Sequence, residues 1–376
     1  MTATPHNATW RQVRSWRLRQ NLLTRRGHRP DAFSGIADRI CGVQAQVQSA
    51  AKLAIWTRSA KPETGDIDLA ISERRLLRIW AMRGTLHLLT PRMASAFLSL
   101  LTRTRSWETR DWQRKFLTAP EMELLASAVE RTLRSRVLTR AELAEEVLSL
   151  TGSPVIAEQL RSRWGDVLKP LSWQGLLCHG PARGRETTFT SPLKKGDDWK
   201  NLDEVEAARI AIPAYLAVHG PATPAAFDAW LTGGTTPRAI LDNWFRMTED
   251  LLDSIYVEDQ PLLARTNDIE CIREARPTSI VRLLPAFDQF VLGPGSGDPH
   301  TVPPEYRRRI SRTAGWISPT VVTSAGVIGI WDISKSTLSI QLFADTSPSV
   351  KQKLLVEAER VWAFYNRSFS VKITIG

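Results

Sequence analysis

The chain has 376 residues, 43% of them hydrophobic and 24% charged, and a net charge of +11. That length supports two to four compact modules with a sizeable core, and no run of about 18 or more apolar residues offers a membrane-spanning helix. The positive excess favours a polyanionic partner, because basic side chains displace counterions from phosphates; solubility alone is the alternative that charge leaves open.

The opening Met1-Thr2-Ala3-Thr4-Pro5-His6 lacks the basic-then-apolar order of a secretion signal, so a cytoplasmic location is expected. Cys41, Cys178 and Cys271 are odd in number and far apart, which predicts reduced thiols. The six histidines are scattered, with no pair at zinc spacing. No nucleotide-binding glycine loop and no Gly-x-Ser-x-Gly elbow is present. Neither a metal nor a cofactor is therefore expected.

In chain order, residues 8–30 carry Trp10, Arg14, Trp16, Arg17 and Arg19 and predict a basic helix and turn, suited either to a phosphate or to solvent. Residues 31–41 predict a short helix with Phe33, Ile36 and Ile40 on one side. Then comes Gly42-Val43-Gln44-Ala45-Gln46-Val47-Gln48. In a helix, Gln44 and Gln46 would lie about 200° apart; in an extended segment they share a side. If both serve one site, they sit at an extended or irregular junction before a helix that starts near Val47. Residues 52–58 continue that helix, and 68–77 predict another. Two short apolar runs around Arg83-Gly84 predict a β-hairpin. Helices followed by a hairpin make a winged helix-turn-helix, with the hairpin as wing.

The pattern recurs. Residues 91–106 and 121–137 predict helices, the second with Met122, Leu125, Val129 and Leu133 on one face. Thr139 and Glu142 form a capping box that opens a third. Strand, basic tip and strand follow over 176–190, with Arg183 and Arg185 at the tip. A third succession has a helix over 204–219 ended by Gly220, helices opened by Thr223-Pro224 and Thr236-Pro237, and short strands over 252–264. The last third changes character: residues 282–285 and the glycine-rich loop 293–297 read as irregular. Strands are expected over 320–323, 327–331, 338–343 and 370–375, with a helix from Ser347-Pro348 to Asn366.

The expected fold is mainly α with β-hairpin wings (α+β). Three tandem winged helix-turn-helix modules cover 1–90, 91–195 and 196–275, and a small β-rich C-terminal unit covers 276–376. The modules repeat in architecture, not in sequence period.

Three segments carry a resemblance. Val43-Gln44-Ala45-Gln46, then Trp80-Ala81-Met82-Arg83-Gly84-Thr85-Leu86-His87-Leu88, then Leu283-Leu284-Pro285-Ala286-Phe287-Asp288 resemble, in that order, the AlkZ-type (AlkZ/YcaQ-like) winged-helix DNA glycosylases. In that family the site motif is Gln-apolar-Gln in one branch and Gln-apolar-Asp in the other; this chain carries the first form. By resemblance, Gln44 and Gln46 are the catalytic pair. On the residues alone, capping a helix or satisfying buried backbone groups is the favoured account, and the resemblance reverses that order.

Two amides are weak catalysts. Glutamine is no general base near neutral pH, but it can orient a water and meet developing charge. That suffices when the leaving group departs easily, as an N7-alkylated purine does: the base is cationic and leaves neutral, while the oxocarbenium-like sugar needs a placed water. Ordinary bases would be spared. No motif positions a lysine for a Schiff base, so lyase activity is not expected.

Arg83, His87, Arg183 and Arg185 are candidate DNA contacts on the two hairpins. His87 also suits a structural role, bonded to neighbouring backbone, and the wing-tip arginines also suit simple solvation. Asp288 reads as a structural group bonded to backbone or an arginine, or alternatively as a carboxylate beside the oxocarbenium. The resemblance thus implies a monomeric, monofunctional DNA glycosylase acting on N7-alkylpurine lesions or interstrand crosslinks in double-stranded DNA, possessed by producers of DNA-alkylating natural products. The rival reading is a winged-helix regulator that binds DNA without chemistry.

Overall fold

The computed structural model describes residues 6–26, 32–60, 65–162, 165–192 and 202–376. The fold is mixed α and β, with three sheets among the described residues. It separates into two compact units, one comprising residues 1–67, 212–230 and 248–376, the other 68–211 and 231–247. These units are assembled across the motif boundaries expected at residues 90, 195 and 275. No helix among the described residues is long and apolar enough to cross a membrane.

In the first unit, helix Trp10–Gln20 opens with a capping box between Thr9 and Gln12. Its Trp10, Val13 and Trp16 bury against a three-stranded sheet. There His6–Ala8 runs parallel to Leu252–Val257, which pairs antiparallel with Gln260–Arg265. The short strands expected over 252–264 thus form a hairpin tied to residues 6–8.

The C-terminal part of this unit is a five-stranded sheet in the order Val281–Leu284, Thr320–Thr323, Gly326–Ser334, Thr337–Leu342, Ser370–Ile375. Ser347 caps helix Pro348–Tyr365 by accepting from the Val350 amide. That helix carries the chain back so that the last two strands run parallel, a join that needs a long crossover. Its Leu354, Ala358 and Val361 pack with Leu53 and Trp56 against Val321, Trp331, Leu338 and Ile340. One expectation is corrected here. Residues 282–284 are not irregular but form the edge strand, because Val281, Leu283 and Leu284 are buried in the two cores that meet there.

In the second unit, strands Leu77–Trp80 and Leu86–Leu89 form the expected hairpin. Next to it in the same sheet stand Cys178–His179, Thr188–Thr190 and Leu138–Thr139. Helices Ala119–Leu133, Arg140–Thr151 and Pro154–Arg161 pack over this sheet through Leu125, Val129, Leu143, Val147, Ile156 and Phe189. The Thr139–Glu142 capping box forms as the spacing predicts: the Thr139 amide donates to Glu142 at 2.7 Å and the Glu142 amide to Thr139 Oγ1 at 3.3 Å. In helix Arg238–Arg246 the N-cap position falls on Pro237, which has no side-chain group to cap with, rather than on Thr236.

Candidate active site

Helix Ala32–Arg39 ends in two consecutive left-handed residues, Cys41 (φ 58°) and Gly42 (φ 88°). The Gly42 amide donates back to Ala37 O at 2.7 Å. The second left-handed residue is a glycine, which adopts that conformation without steric cost. The chain leaves this turn extended, as strand Val43–Gln44, and Val47 (φ −110°, ψ 106°) closes the extended stretch at the head of helix Gln48–Arg58. The junction is extended at Val43–Gln44 and bends at Gln46 and Val47 before the helix begins at Gln48. Gln44 is buried, at 7% exposure, whereas Gln46 is exposed. The two amides therefore sit in different surroundings: one within the fold, one on its surface.

Helix Gln48–Arg58 is anchored at its far end. The Arg58 guanidinium is fully buried and donates to Asp288 Oδ2 at 2.8 Å and Oδ1 at 2.7 Å, to Asn21 O at 2.9 Å and to Ala54 O at 3.0 Å. Asp288 also caps helix Gln289–Leu292, accepting from the Phe290 amide at 2.9 Å. Both carboxylate oxygens of Asp288 are thus bonded, to an arginine and to backbone, at 1% exposure, as the structural alternative requires. Beside the head of the helix opens a hollow of about 740 Å³, rimmed by Val47 and Ser49 and lined by Ala286, Arg312, Trp316 and Lys372 among others. Its charged lining residues are Arg312, Lys372 and Asp332, a net charge of one positive. Arg312 and Trp316 lie in residues that no motif or period singles out.

This chain resembles characterised proteins along most of its length. The family described as DNA glycosylase AlkZ-like matches residues 37–364. An "Interstrand DNA cross-link repair glycosylase" of Streptomyces sahachiroi is 42% identical over 342 residues, 90% of this chain and 92% of that protein. The solved structure of Streptomyces sahachiroi DNA glycosylase AlkZ superposes with a TM-score of 0.92 at 39% identity, covering 98% of this chain and all of that one. The chain belongs to the AlkZ-like DNA glycosylase family. It is a DNA glycosylase, a hydrolase of N-glycosyl bonds.

The other residues singled out in this glycosylase lie in the second compact unit. Arg83 sits half-buried at the hairpin tip, itself left-handed (φ 55°) ahead of left-handed Gly84. His87 does not reach the surface. Its ring is 0% exposed, its Nδ1–H donates to Thr85 O at 3.0 Å, and Nε2 has no hydrogen-bond partner among the described residues. Burial, helped by the charge of Arg83, pushes its pKa down to about 3. The buried ring, bonded to neighbouring backbone, has the surroundings of the structural alternative for His87; alternation along the strand identified its side but not the depth of packing there.

At the second wing, Arg183 and Glu186 exchange backbone hydrogen bonds of 3.1 Å around the two-residue turn Gly184-Arg185. Arg183 is drawn back onto the module, donating to Glu142 Oε1 at 2.7 Å and Val137 O at 2.8 Å. Arg185 is exposed and makes no ion pair among the described residues. Burial raises the thiol pKa of Cys178 to about 12 and pushes that of Cys41 up as well, so neither is a nucleophile. Among the described residues, no group of three or more His, Cys, Asp or Glu is placed to hold a metal ion.

Proposed function

We propose that this glycosylase hydrolyses the N-glycosidic bond of N7-alkylated purines in duplex DNA, including purines tied into interstrand crosslinks, and leaves an abasic site. The crosslink specificity follows the name of the S. sahachiroi relative. Gln44 and Gln46 form the catalytic pair. Buried Gln44 is held by its surroundings and provides the fixed amide. Exposed Gln46 meets the lesion strand and helps hold the attacking water against the sugar. The cationic base leaves as a neutral one, so positioning and polarity supply the remaining acceleration without a general base. A tethered base cannot be extruded into a deep pocket, so the lesion is met within the duplex rather than flipped. The winged successions at 1–90, 91–195 and 196–275 hold the duplex as DNA-facing modules, and the enzyme acts in the cytoplasm as a monomer.

The observation that supports this reading most is the Gln44-Ala45-Gln46 junction, strand at Gln44 and bend at Gln46, at the head of a firmly anchored helix whose first turn rims an open hollow lined by Arg312, Lys372 and Asp332. The test is an excision assay on duplexes containing N7-methylguanine, with hot alkali converting each abasic site into a strand break. Gln44→Ala and Gln46→Ala are each expected to slow release by about tenfold or more, in line with the loss of one preorganised polar group. Two folded variants that excise at the wild-type rate would remove these residues from the mechanism. A wild-type protein that yields no breaks beyond spontaneous loss would favour a DNA-binding role without chemistry.

A further inference from the structure

The hollow at the head of helix Gln48–Arg58 is lined by neither Gln44 nor Gln46. Its volume of about 740 Å³ falls within the roughly 300–1,000 Å³ that holds drug-sized ligands. Its floor is the outer face of the C-terminal sheet. The register places Ile330 beside Gln341 and Gln341 beside Thr374, and likewise Asp332 beside Ser339 and Ser339 beside Lys372. Alternate residues of a strand share a face, so these six side chains make two parallel rows across three strands, and all six line the hollow. The intervening residues Leu338 and Ile340 are committed to the core on the other face, while Trp331 is buried in that core and also borders the hollow. With strands about 4.8 Å apart, one row ends in opposite charges, Asp332 and Lys372, about 10 Å from each other.

Trp316 lines the same space. It is 40% exposed, and its ring meets Phe287 edge to face with centroids 5.0 Å apart. An anchored but open indole beside rows of hydroxyl, amide and charged groups suits an organic ligand with a ring and polar arms. The rim at Val47 is one residue from Gln46 and so continuous with the candidate catalytic pair.

We propose that this hollow binds the substituent of the alkylated purine: a drug-sized organic group that carries an aromatic ring and hydrogen-bonding arms. The proposal rests on the reading of Gln44 and Gln46 as the catalytic pair. N7 lies on the major-groove edge of the purine, so a group attached there projects clear of the glycosidic bond. The reacting bond can then stand at the glutamines while the rest of the adduct lies across the sheet, its ring against Trp316.

The experiment compares kcat/KM for duplexes carrying N7-methylguanine and for duplexes carrying the N7-guanine monoadduct of an aromatic nitrogen mustard. The proteins are wild type, Ser339→Trp and Thr374→Trp, each checked by its thermal midpoint. Both substitutions fill the floor of the hollow. The ratio of the large-adduct to the methyl-adduct value is expected to fall tenfold or more. Should Ser339→Trp fail to fold, Thr374→Trp on the outermost strand decides alone. Ratios within twofold of wild type in the folded variants would overturn the proposal while leaving the glutamine reading in place. Release of neither base by the wild-type protein would sink that reading, and this proposal with it.

Discussion

The Arg58 guanidinium holds the Asp288 carboxylate through two hydrogen bonds of 2.8 and 2.7 Å, with side-chain exposures of 0% and 1%. This pair ties the end of the helix that follows the glutamines to the turn after the first strand of the C-terminal sheet. Removing one partner leaves an uncompensated buried charge. Arg58→Ala or Asp288→Ala is therefore expected to cost about 3–5 kcal/mol, read from urea unfolding. Asp288→Asn, which keeps the shape, should lower stability and slow excision only as far as unfolding explains. A fully folded Asp288→Asn protein without activity would mean that the carboxylate takes part in the chemistry.

The unequal burial of the two glutamines separates their effects on stability. Gln44→Ala removes a buried polar group and should destabilise the protein by about 1 kcal/mol, whereas Gln46→Ala, at an exposed position, should stay within about 0.5 kcal/mol. Both should lose excision rate. Equal thermal midpoints for the two variants would contradict this assignment of environments.

His87 makes stability depend on pH. Its folded pKa is about 3, against an ordinary value of 6.5, so between those values the unfolded chain binds the extra proton. Stability is complete above about pH 6.5 and declines as pH falls toward 3, by about 2 kcal/mol at pH 5 from this one residue. The thermal midpoint at pH 5 should lie below that at pH 7.5, and His87→Phe should narrow the difference. An unchanged difference in the variant would show that the imidazole is not sealed.

The two wing-tip arginines should behave differently toward DNA. Arg185 is exposed and unpaired among the described residues, so Arg185→Ala should weaken duplex binding evenly across sequences and lower the salt slope by about 1. Arg183 is already engaged by Glu142 and Val137 O, so Arg183→Ala should leave the slope nearly as it was. Titrations at several salt concentrations read both; a larger change for Arg183 would reverse the roles.

Gly293 approaches His219 so closely that an added methyl group would lie 2.0 Å from the ring Nδ1. His219 is buried, and the Tyr215 hydroxyl donates to the Gly293 carbonyl at 3.3 Å, so neither side yields easily. Gly293→Ala should cost about 1–3 kcal/mol through overpacking. A denaturation midpoint equal to wild type would show that the backbone shifts freely here.

Much of the local structure was legible in the chain itself. The Thr139–Glu142 capping box, the Ser347-Pro348 helix start, the Arg83-Gly84 hairpin and the break in helix ahead of Gln48 depend on hydrogen bonds and backbone preferences within a few residues, and such chemistry is written in adjacent letters. The run Val43-Gln44-Ala45-Gln46 and its two companion segments also pointed to the family. Tertiary structure decided the rest. Arg58 meets Asp288 across 230 positions, and no spacing rule reaches that far. Residues 281–284 became a strand because two cores close over them, and Gln44 and His87 lost contact with solvent for the same kind of reason, a matter of what packs above a residue rather than what flanks it. The rows beneath Trp316 exist only through the register of three strands, which long-range burial sets and the order of amino acids does not display.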